Sequence, residues 1–191
     1  DDKIDPAIPA DPRSAAAEQA QLLSLLAQLN ALGATDSKLS KFWGVLRDII
    51  ADGRSVLVFT ESTDTMTYLR DHLRPTYGPS LGCYSGGGGQ VWNGSAWQNV
   101  TKAEITERLF AGELRVLVCT DAASEGLNLQ AAGALINYDL PWNSSKVEQR
   151  IGRIDRIGQQ QPVLHIRNMF LVDSVDMDVY TVLRERCGLF E

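Results

Sequence analysis

Short, fully apolar segments alternate with helical patterns along most of this chain, and this alternation limits the possible folds more than any other feature. Val56–Phe59 and Val116–Cys119 are apolar at every position, whereas a strand with one face in water alternates apolar and polar residues. Uninterrupted apolar strands are typical of a parallel sheet that helices cover on both faces. We therefore predict an α/β fold of three layers, with a parallel sheet between two layers of helices.

The other predicted strands and helices show the same alternation along the chain. Predicted strands cover residues 55–60, 81–84, 115–119, 135–138 and 163–170. Predicted helices cover a segment from about residue 37, then 62–73, 101–111, 144–157 and 173–187, and Thr101 with Glu104 forms a capping box. Residues 1–13 are rich in proline and acids and are predicted as an extended leader, followed by a helix from Ser14 to about Leu32, ended by Gly33. These signals divide the chain into a leader and N-terminal helix, residues 1–35, and an α/β lobe, residues 36–191.

Residues 85–100 interrupt the alternation with an inserted β-hairpin. Asn93-Gly94 between aromatic residues is a strong hairpin signal. The glycine run Gly86–Gly89 lacks the Gly-Lys-Ser/Thr of a phosphate loop, so it is interpreted as a flexible lead-in to the hairpin. Trp92 and Trp97 have two interpretations, as a cover for the sheet edge or as a stacking surface for a base or a partner.

Composition bounds the classes of protein to which the chain can belong. At 191 residues, with 44% hydrophobic and 22% charged residues, it is predicted to be a single water-soluble α/β lobe, and no apolar run is long enough to cross a membrane. The three cysteines are scattered, so neither a zinc site nor a disulfide framework is expected, and a cytoplasmic setting follows. The net charge of −6 argues against binding nucleic acid by bulk charge. Residues 141–170 nevertheless carry five basic side chains against two acidic ones.

That basic segment includes a helical pattern with two opposed stripes. At 100° per residue, Val147, Ile151 and Ile154 fall within about 60° of one another and predict a core-facing side. By the same geometry Gln149, Arg153 and Arg156 fall within about 60° on the opposite side. Two guanidiniums at a fixed spacing suit a polyanion, because their forked donors match phosphate oxygens. An ordinary helix with a solvated basic face remains the alternative for this segment taken alone.

Two further polar segments are expected near the same edge of the sheet. Phe59–Ser62 follows the first strand and opens a helix, where free backbone N–H groups favour phosphate. Thr120–Leu129 follows the central strand and combines small residues with polar ones and a glycine. Ligands of open α/β sheets bind at the carboxyl ends of the strands, so the three segments together predict a binding site there.

In these segments the chain resembles the second RecA-like lobe of superfamily-two helicases and translocases, in particular Swi/Snf-type and bacterial RapA-like ATPases. The resemblance covers roughly residues 36–185. Val56–Thr60 resembles motif IV, Val118–Leu129 motif V and Gln149–Gln159 motif VI, and Asn137–Asn143 resembles the strand and loop before motif VI. The resemblance implies a RecA-like fold and places the chain in an ATP-dependent DNA translocase.

The same resemblance implies roles for individual residues. Arg153 and Arg156 match arginine fingers that reach ATP phosphates held by a first RecA-like lobe of the same polypeptide, and such fingers stabilise charge on the transferred phosphoryl group. The other matched positions are Gln149 at the cleft between the lobes, Gly126 and Asn128 near the nucleotide sugar, and Thr60, Ser62 and Thr120 at the nucleic-acid backbone. ATP and Mg²⁺ are the implied cofactors, double-stranded DNA is the expected nucleic acid, and a bacterial, nucleoid-associated setting is expected.

The sequence also lacks parts that such an ATPase needs. It has no Gly-x-x-x-x-Gly-Lys-Ser/Thr loop and no acidic box for magnesium. We therefore expect half of a two-lobed motor, inactive alone. The alternative is a non-catalytic nucleic-acid-binding or partner-docking module derived from such a lobe. A flavodoxin-like or dinucleotide-binding domain is disfavoured, because no Gly-x-Gly-x-x-Gly follows the first strand.

Overall fold

Seven strands of the part of the chain that the structure describes form one sheet. The structure is a computed structural model, and it describes residues 12–31, 36–121 and 127–187. The strands are β1 Val56–Thr60, β2 Leu81–Ser85, β3 Gly88–Trp92, β4 Trp97–Val100, β5 Val116–Thr120, β6 Ala134–Asn137 and β7 His165–Asn168. Their spatial order is β4-β3-β2-β5-β1-β6-β7. The five strands from β2 to β7 in this order are parallel, and β3 and β4 extend the sheet antiparallel to them.

The described helices lie before, between and after these strands in the chain. They are α1 Pro12–Ala31, α2 Ser37–Ala51, α3 Thr63–Tyr77, α4 Lys102–Phe110, α5 Ser144–Ile151 and α6 Val175–Cys187, and a 3₁₀ turn covers Gly78–Ser80. Of these, none combines the length and the apolar character that crossing a membrane requires.

The chain separates into two compact units, residues 1–37 and residues 38–191. In the first unit, α1 begins at Pro12 and not after Ser14, because a proline at the start of a helix has a suitable φ and needs no hydrogen bond for its nitrogen. The predicted cap Ser14 therefore lies within the helix. The predicted leader, apart from its last residues, and the predicted end at Gly33 lie outside the described residues.

The central strands are buried on both faces, as their apolar runs predict. Val56 and Val58 of β1 pack in a cluster that contains Phe42 of α2. Leu57 and Phe59 of the same strand point the other way, into a second cluster with residues of α4. Alternate residues of one strand thus serve two helical layers, which is why no polar residue interrupts the strand. The predicted α/β fold is confirmed.

The predicted hairpin is present as β3 and β4. Its turn is closed by Asn93, whose Oδ1 accepts hydrogen bonds from the backbone N–H groups of Ser95 and Ala96, both at 2.8 Å. The glycine run, predicted as a flexible lead-in, is divided between a turn and the first strand of the hairpin. Gly86 and Gly87 form the turn between β2 and β3, and the other two glycines are the first residues of β3.

Gly89 has a packing reason to be glycine, and Gly86 offers a matched control. A Cβ atom on Gly89 would lie 2.9 Å from the carbonyl oxygen of Val100 and 3.0 Å from Ile105 Cγ1, whereas one on Gly86 would meet nothing within 4 Å. Gly89→Ala is expected to lower the free energy of unfolding by about 1–3 kcal/mol, because backbone on the neighbouring strand must move. Gly86→Ala should change it by less than about 0.5 kcal/mol. Urea denaturation of both variants measures the difference, and equal effects would contradict the packing argument.

The two hairpin tryptophans are half-buried and pack against each other and against helix α3. Their rings lie 5.6 Å apart, edge to face. Arg70 lies over Trp97 and Arg74 over Trp92, each with its guanidinium carbon 4.9 Å from the ring centroid. Because both arginines belong to α3, these cation–π pairs fasten the inserted hairpin to the helical layer.

Buried thiols give the lobe a pH-dependent reactivity. Burial raises the pKa of Cys83 from 9.0 to about 12 and raises the pKa of Cys119 in the same direction. The stability linked to Cys83 is therefore complete below the pKa of the unfolded thiol and is lost as the pH rises from there toward 12. At pH 9 we expect native Cys83 to react with iodoacetamide on the order of 10²–10³-fold more slowly than the urea-unfolded thiol, as the thiolate is the nucleophile. Peptide mass spectrometry after timed labelling measures both rates, and equal rates would show that the thiol is accessible and ionised in the fold.

Candidate functional site

The carboxyl ends of four parallel strands bring the predicted motifs to one edge of the sheet. Thr60 at the end of β1 is in register with Thr120 at the end of β5. Asn137 at the end of β6 is in register with Phe59 on one side and with Asn168 on the other. Motifs IV and V and the strand before motif VI therefore meet as the sequence predicted.

The helix predicted for residues 144–157 is wrong beyond Ile151. Helix α5 ends there, and Gly152 follows as its cap. Turns replace the helix, with the N–H of Arg153 donating to the carbonyl of Arg150 at 3.1 Å and that of Ile154 to Ile151 at 3.0 Å. Glycine costs about 1 kcal/mol in a helix interior, which favours termination at Gly152. Gln149, Arg153 and Arg156 therefore do not share a helix face.

We call residues 152–158 the arginine loop, and its shape is defined by one buried side chain, two hydrogen bonds and the backbone angle of one glycine. Ile154 is fully buried in the second core cluster. The side-chain amide of Gln159 donates to the carbonyl of Ile154 at 2.8 Å and to that of Ala132 at 3.2 Å. Gly158 has φ of +100°, a conformation that costs little only for glycine. The arginine loop is thus held to the sheet from its middle and from its end.

Arg156 and Asn128 lie at the same depression. This depression has a volume of about 750 Å³ and is also lined by Gln130, Asp155 and Ile157. Arg156 is exposed, and Arg153 is half-buried, with an Nε that has no hydrogen-bond partner among the described residues. Motifs V and VI therefore contribute side chains to one cavity. Gln149 is exposed on α5, and Gly126 lies outside the described residues.

Arg150 is the functional candidate that the stripe analysis missed. Its side chain is 1% exposed, and its Nε donates to Asp121 Oδ1 at 2.6 Å. Its Nη1 donates to Asn137 Oδ1 at 2.9 Å and to the carbonyl of Asp139 at 2.8 Å. The sequence did contain a signal that Arg150 is buried, because this residue falls about 60° from Val147 on the apolar side of the helix. An arginine on a core-facing stripe needs a buried acceptor.

A second acidic residue, Asp139, connects the end of β1 to α2. Thr60 Oγ1 donates to Asp139 Oδ2 at 2.5 Å, and the N–H of Glu61 donates to the same oxygen at 3.3 Å. Lys38 Nζ lies 3.1 Å from Asp139 Oδ1. Thr60 is fully buried, so its hydroxyl serves this internal network.

The three residues predicted to contact nucleic acid differ in accessibility. Thr60 and Thr120 are buried at 0% and 4% exposure. Ser62 is exposed, and its Oγ accepts the N–H of Thr65 at 3.0 Å as the N-cap of α3. In this conformation only Ser62 lies where a ligand reaches it without a rearrangement.

The described residues show no preformed metal centre. Among them, no group of three or more His, Cys, Asp or Glu side chains is placed to hold a metal ion. The depression offers the guanidinium of Arg156 and the amides of Asn128 and Gln130, which suit phosphate and hydroxyl groups, beside the carboxylate of Asp155.

Sequence comparisons relate the chain to ATP-dependent helicases. The family model of the helicase conserved C-terminal domain matches residues 41–158. The "Uncharacterized ATP-dependent helicase YqhH" of Bacillus subtilis (strain 168) is 40% identical over 136 residues, which are 71% of this chain and 22% of that protein. The "RNA polymerase-associated protein RapA" of Vibrio parahaemolyticus is 33% identical over 118 residues, 60% of this chain and 11% of that protein. The chain thus matches at most about a fifth of the length of these relatives.

A solved structure shows the same fold. The crystal structure of the C-terminal part of the Fun30 ATPase domain superposes with a TM-score of 0.62 at 17% sequence identity, covering 86% of this chain and 53% of that chain. The predicted RecA-like architecture is confirmed.

Proposed function

The chain belongs to the family of helicase conserved C-terminal domains, as a second RecA-like lobe of the Swi/Snf-type and RapA-like kind, and on this premise we propose that it supplies one side of an ATPase site. The other side is a first RecA-like lobe of the same polypeptide, which holds the triphosphate and Mg²⁺. The assembled protein is a DNA-dependent translocase.

The observation that carries this proposal is the shared depression of motifs V and VI. Arg156 lines it together with Asn128, so a guanidinium for phosphate and an amide for a sugar hydroxyl face one space. The arginine loop is anchored by buried Ile154 and by the Gln159 amide. The guanidiniums of the arginine loop are therefore carried by a backbone of fixed conformation. The loop then needs little rearrangement when negative charge develops on the phosphoryl group during hydrolysis.

In this mechanism the chain contributes positively charged side chains that are placed next to the ATP phosphates. Closure of the two lobes brings Arg153 and Arg156 to the phosphates, where they stabilise the charge on the transferred phosphoryl group. Gln149, Asn128 and Gly126 complete the lining of the cleft on this side. Mg²⁺ would be held by the first lobe and would supply Lewis-acid stabilisation of the phosphate oxygens.

Nucleic acid is proposed to bind through its backbone at the same edge of the sheet. Ser62 is exposed, and the N-terminus of the 15-residue helix α3 beside it offers backbone N–H groups that suit a phosphate. Contacts to phosphates, in place of base edges, allow tracking without sequence preference. Thr60 and Thr120 join this contact only if closure exposes them. Double-stranded DNA in the bacterial cytoplasm, in association with the nucleoid, is the proposed setting.

ATP turnover by the full-length protein tests the proposal. We expect hydrolysis that rises when double-stranded DNA is added, and none above background from residues 1–191 alone. DNA binding without any ATP turnover would contradict the motor and favour the non-catalytic module. Turnover by the isolated chain at the rate of the full-length protein would contradict the division of the site between two lobes.

A further inference from the structure

Arg150 joins four elements at the carboxyl edge of the sheet. From helix α5 its guanidinium reaches Asp121 after β5, Asn137 at the end of β6 and the carbonyl of Asp139 in the following loop, at 2.6, 2.9 and 2.8 Å. It also lies 5.2 Å from the centroid of the Phe59 ring in β1. These contacts come from three strands or their ends, so the side chain has one orientation.

The backbone of the same residue starts the arginine loop. The carbonyl of Arg150 accepts the N–H of Arg153 at 3.1 Å, in the first turn after α5. The N–H groups of Ile154 and Asp155 donate to Ile151, the next residue, at 3.0 and 2.9 Å. The first half of the arginine loop is therefore hydrogen-bonded to the end of α5, and the Arg150 side chain fixes the position of that end.

We propose that Arg150 is a positioning residue: by tying the last turn of α5 to Asp121 and Asn137, it sets where Arg153 and Arg156 stand for ATP hydrolysis. The inference rests on the proposed function. Lysine cannot replace it fully, because Nε and Nη1 serve Asp121 and Asn137 at the fixed angle of a planar guanidinium, whereas an ammonium is a point donor.

Steady-state kinetics of the full-length protein distinguish positioning from mere stability. With saturating DNA, at a temperature where each variant is fully folded, Arg150→Met is expected to lower kcat about 10–100-fold, since a misplacement of 1 Å costs up to about 10²-fold. KM for ATP should stay within about twofold, because the triphosphate is held by the first lobe. Arg150→Lys should recover part of kcat.

Arg70→Met is the matched control. Arg70 is also a mostly covered arginine, with 19% of its side chain exposed, and it pairs with Asp71 at 3.2 Å and with the Trp97 ring. It contacts the hairpin and not the arginine loop, so its replacement should cost stability and leave kcat within about twofold.

Hydrogen exchange of the isolated chain provides a readout that needs no activity. Under conditions where the fold is intact, Arg150→Met should increase amide exchange at residues 153–155 at least about tenfold and leave β1 unchanged, because local opening is governed by local contacts. Arg70→Met should not alter exchange at 153–155.

The outcomes separate the two proposals. If the wild-type protein shows no ATP turnover, the proposed function fails, whatever exchange shows. If wild type is active and Arg156→Ala is not, but folded Arg150→Met keeps full kcat and unchanged exchange at 153–155, the positioning role alone is overturned. An equal loss of kcat in Arg70→Met would also overturn it.

Discussion

Replacing Arg156 with alanine is expected to lower ATP turnover by the full-length protein about 10³-fold, at the low end of what an arginine finger contributes. The expectation follows from its place in the depression that Asn128 shares and from the proposed closure against a triphosphate. Arg156 is exposed, so the substitution should change the free energy of unfolding by less than about 0.5 kcal/mol. The lost turnover therefore cannot come from unfolding.

Single-turnover hydrolysis with excess protein over ATP measures this effect apart from product release. DNA affinity, measured at the same salt concentration, should stay within about threefold, because phosphate contacts by other residues determine it. Arg184→Ala, an exposed arginine of α6, is the matched control and should retain full turnover. Undiminished single-turnover hydrolysis by Arg156→Ala would remove the finger assignment.

Replacing Arg150 with alanine has the largest effect expected on stability, a loss of about 3 kcal/mol in the free energy of unfolding of the chain. The guanidinium is almost fully buried, and its removal takes away one hydrogen-bond donor each from Asp121 Oδ1 and Asn137 Oδ1. Asp121 keeps 22% of its side chain exposed, with Lys146 Nζ at 3.8 Å. Water and this second cation can still stabilise its charge in the variant. The expected loss in the free energy of unfolding therefore lies at the lower end of the range for broken buried pairs.

A double-mutant cycle in urea at pH 7 tests the origin of that loss. Asp121→Asn, Arg150→Ala and the pair should be non-additive, with the pair costing at least about 1 kcal/mol less than the sum, because the two groups interact directly. Additive losses, or a cost below about 1 kcal/mol for Arg150→Ala, would mean that the ion pair contributes little to the fold.

Much of the fold could be predicted because its signals are local. Both neighbours of β1 in the sheet, β5 and β6, were predicted from apolar runs, and both pair with β1 in parallel. The capping box is present, with Thr101 Oγ1 accepting from Glu104 N and Glu104 Oε2 accepting from Thr101 N. Asn93-Gly94 marked the hairpin turn because few residues adopt a positive φ.

The candidate site was predictable in its position but not in its geometry. The 3.6-residue period continued through Ile154, and burial of Ile154 did occur, yet the chain reaches that burial through turns. Hydrophobic periodicity predicts which residues face the core, but it does not show whether the backbone between them is a helix or a series of turns. The predicted contacts of Thr60 were likewise incomplete, because its partner Asp139 is 79 residues away in the chain.

The family, the layered α/β fold and the edge of the sheet where the motifs gather are predictable from the amino-acid sequence alone, because each of these depends on short runs of residues with strong intrinsic preferences. The different environments of the arginines, in contrast, depend on contacts that form only when the chain folds. Arg150 is buried, since Asp121 and Asn137 from distant strands accept hydrogen bonds from its Nε and Nη1. Arg156 is left outward on a loop that Gly152 and Gly158 bend away from a helix. Arg150 is therefore buried and Arg156 exposed, although both belong to one motif, because the acceptors of Arg150 come next to it only when the chain folds.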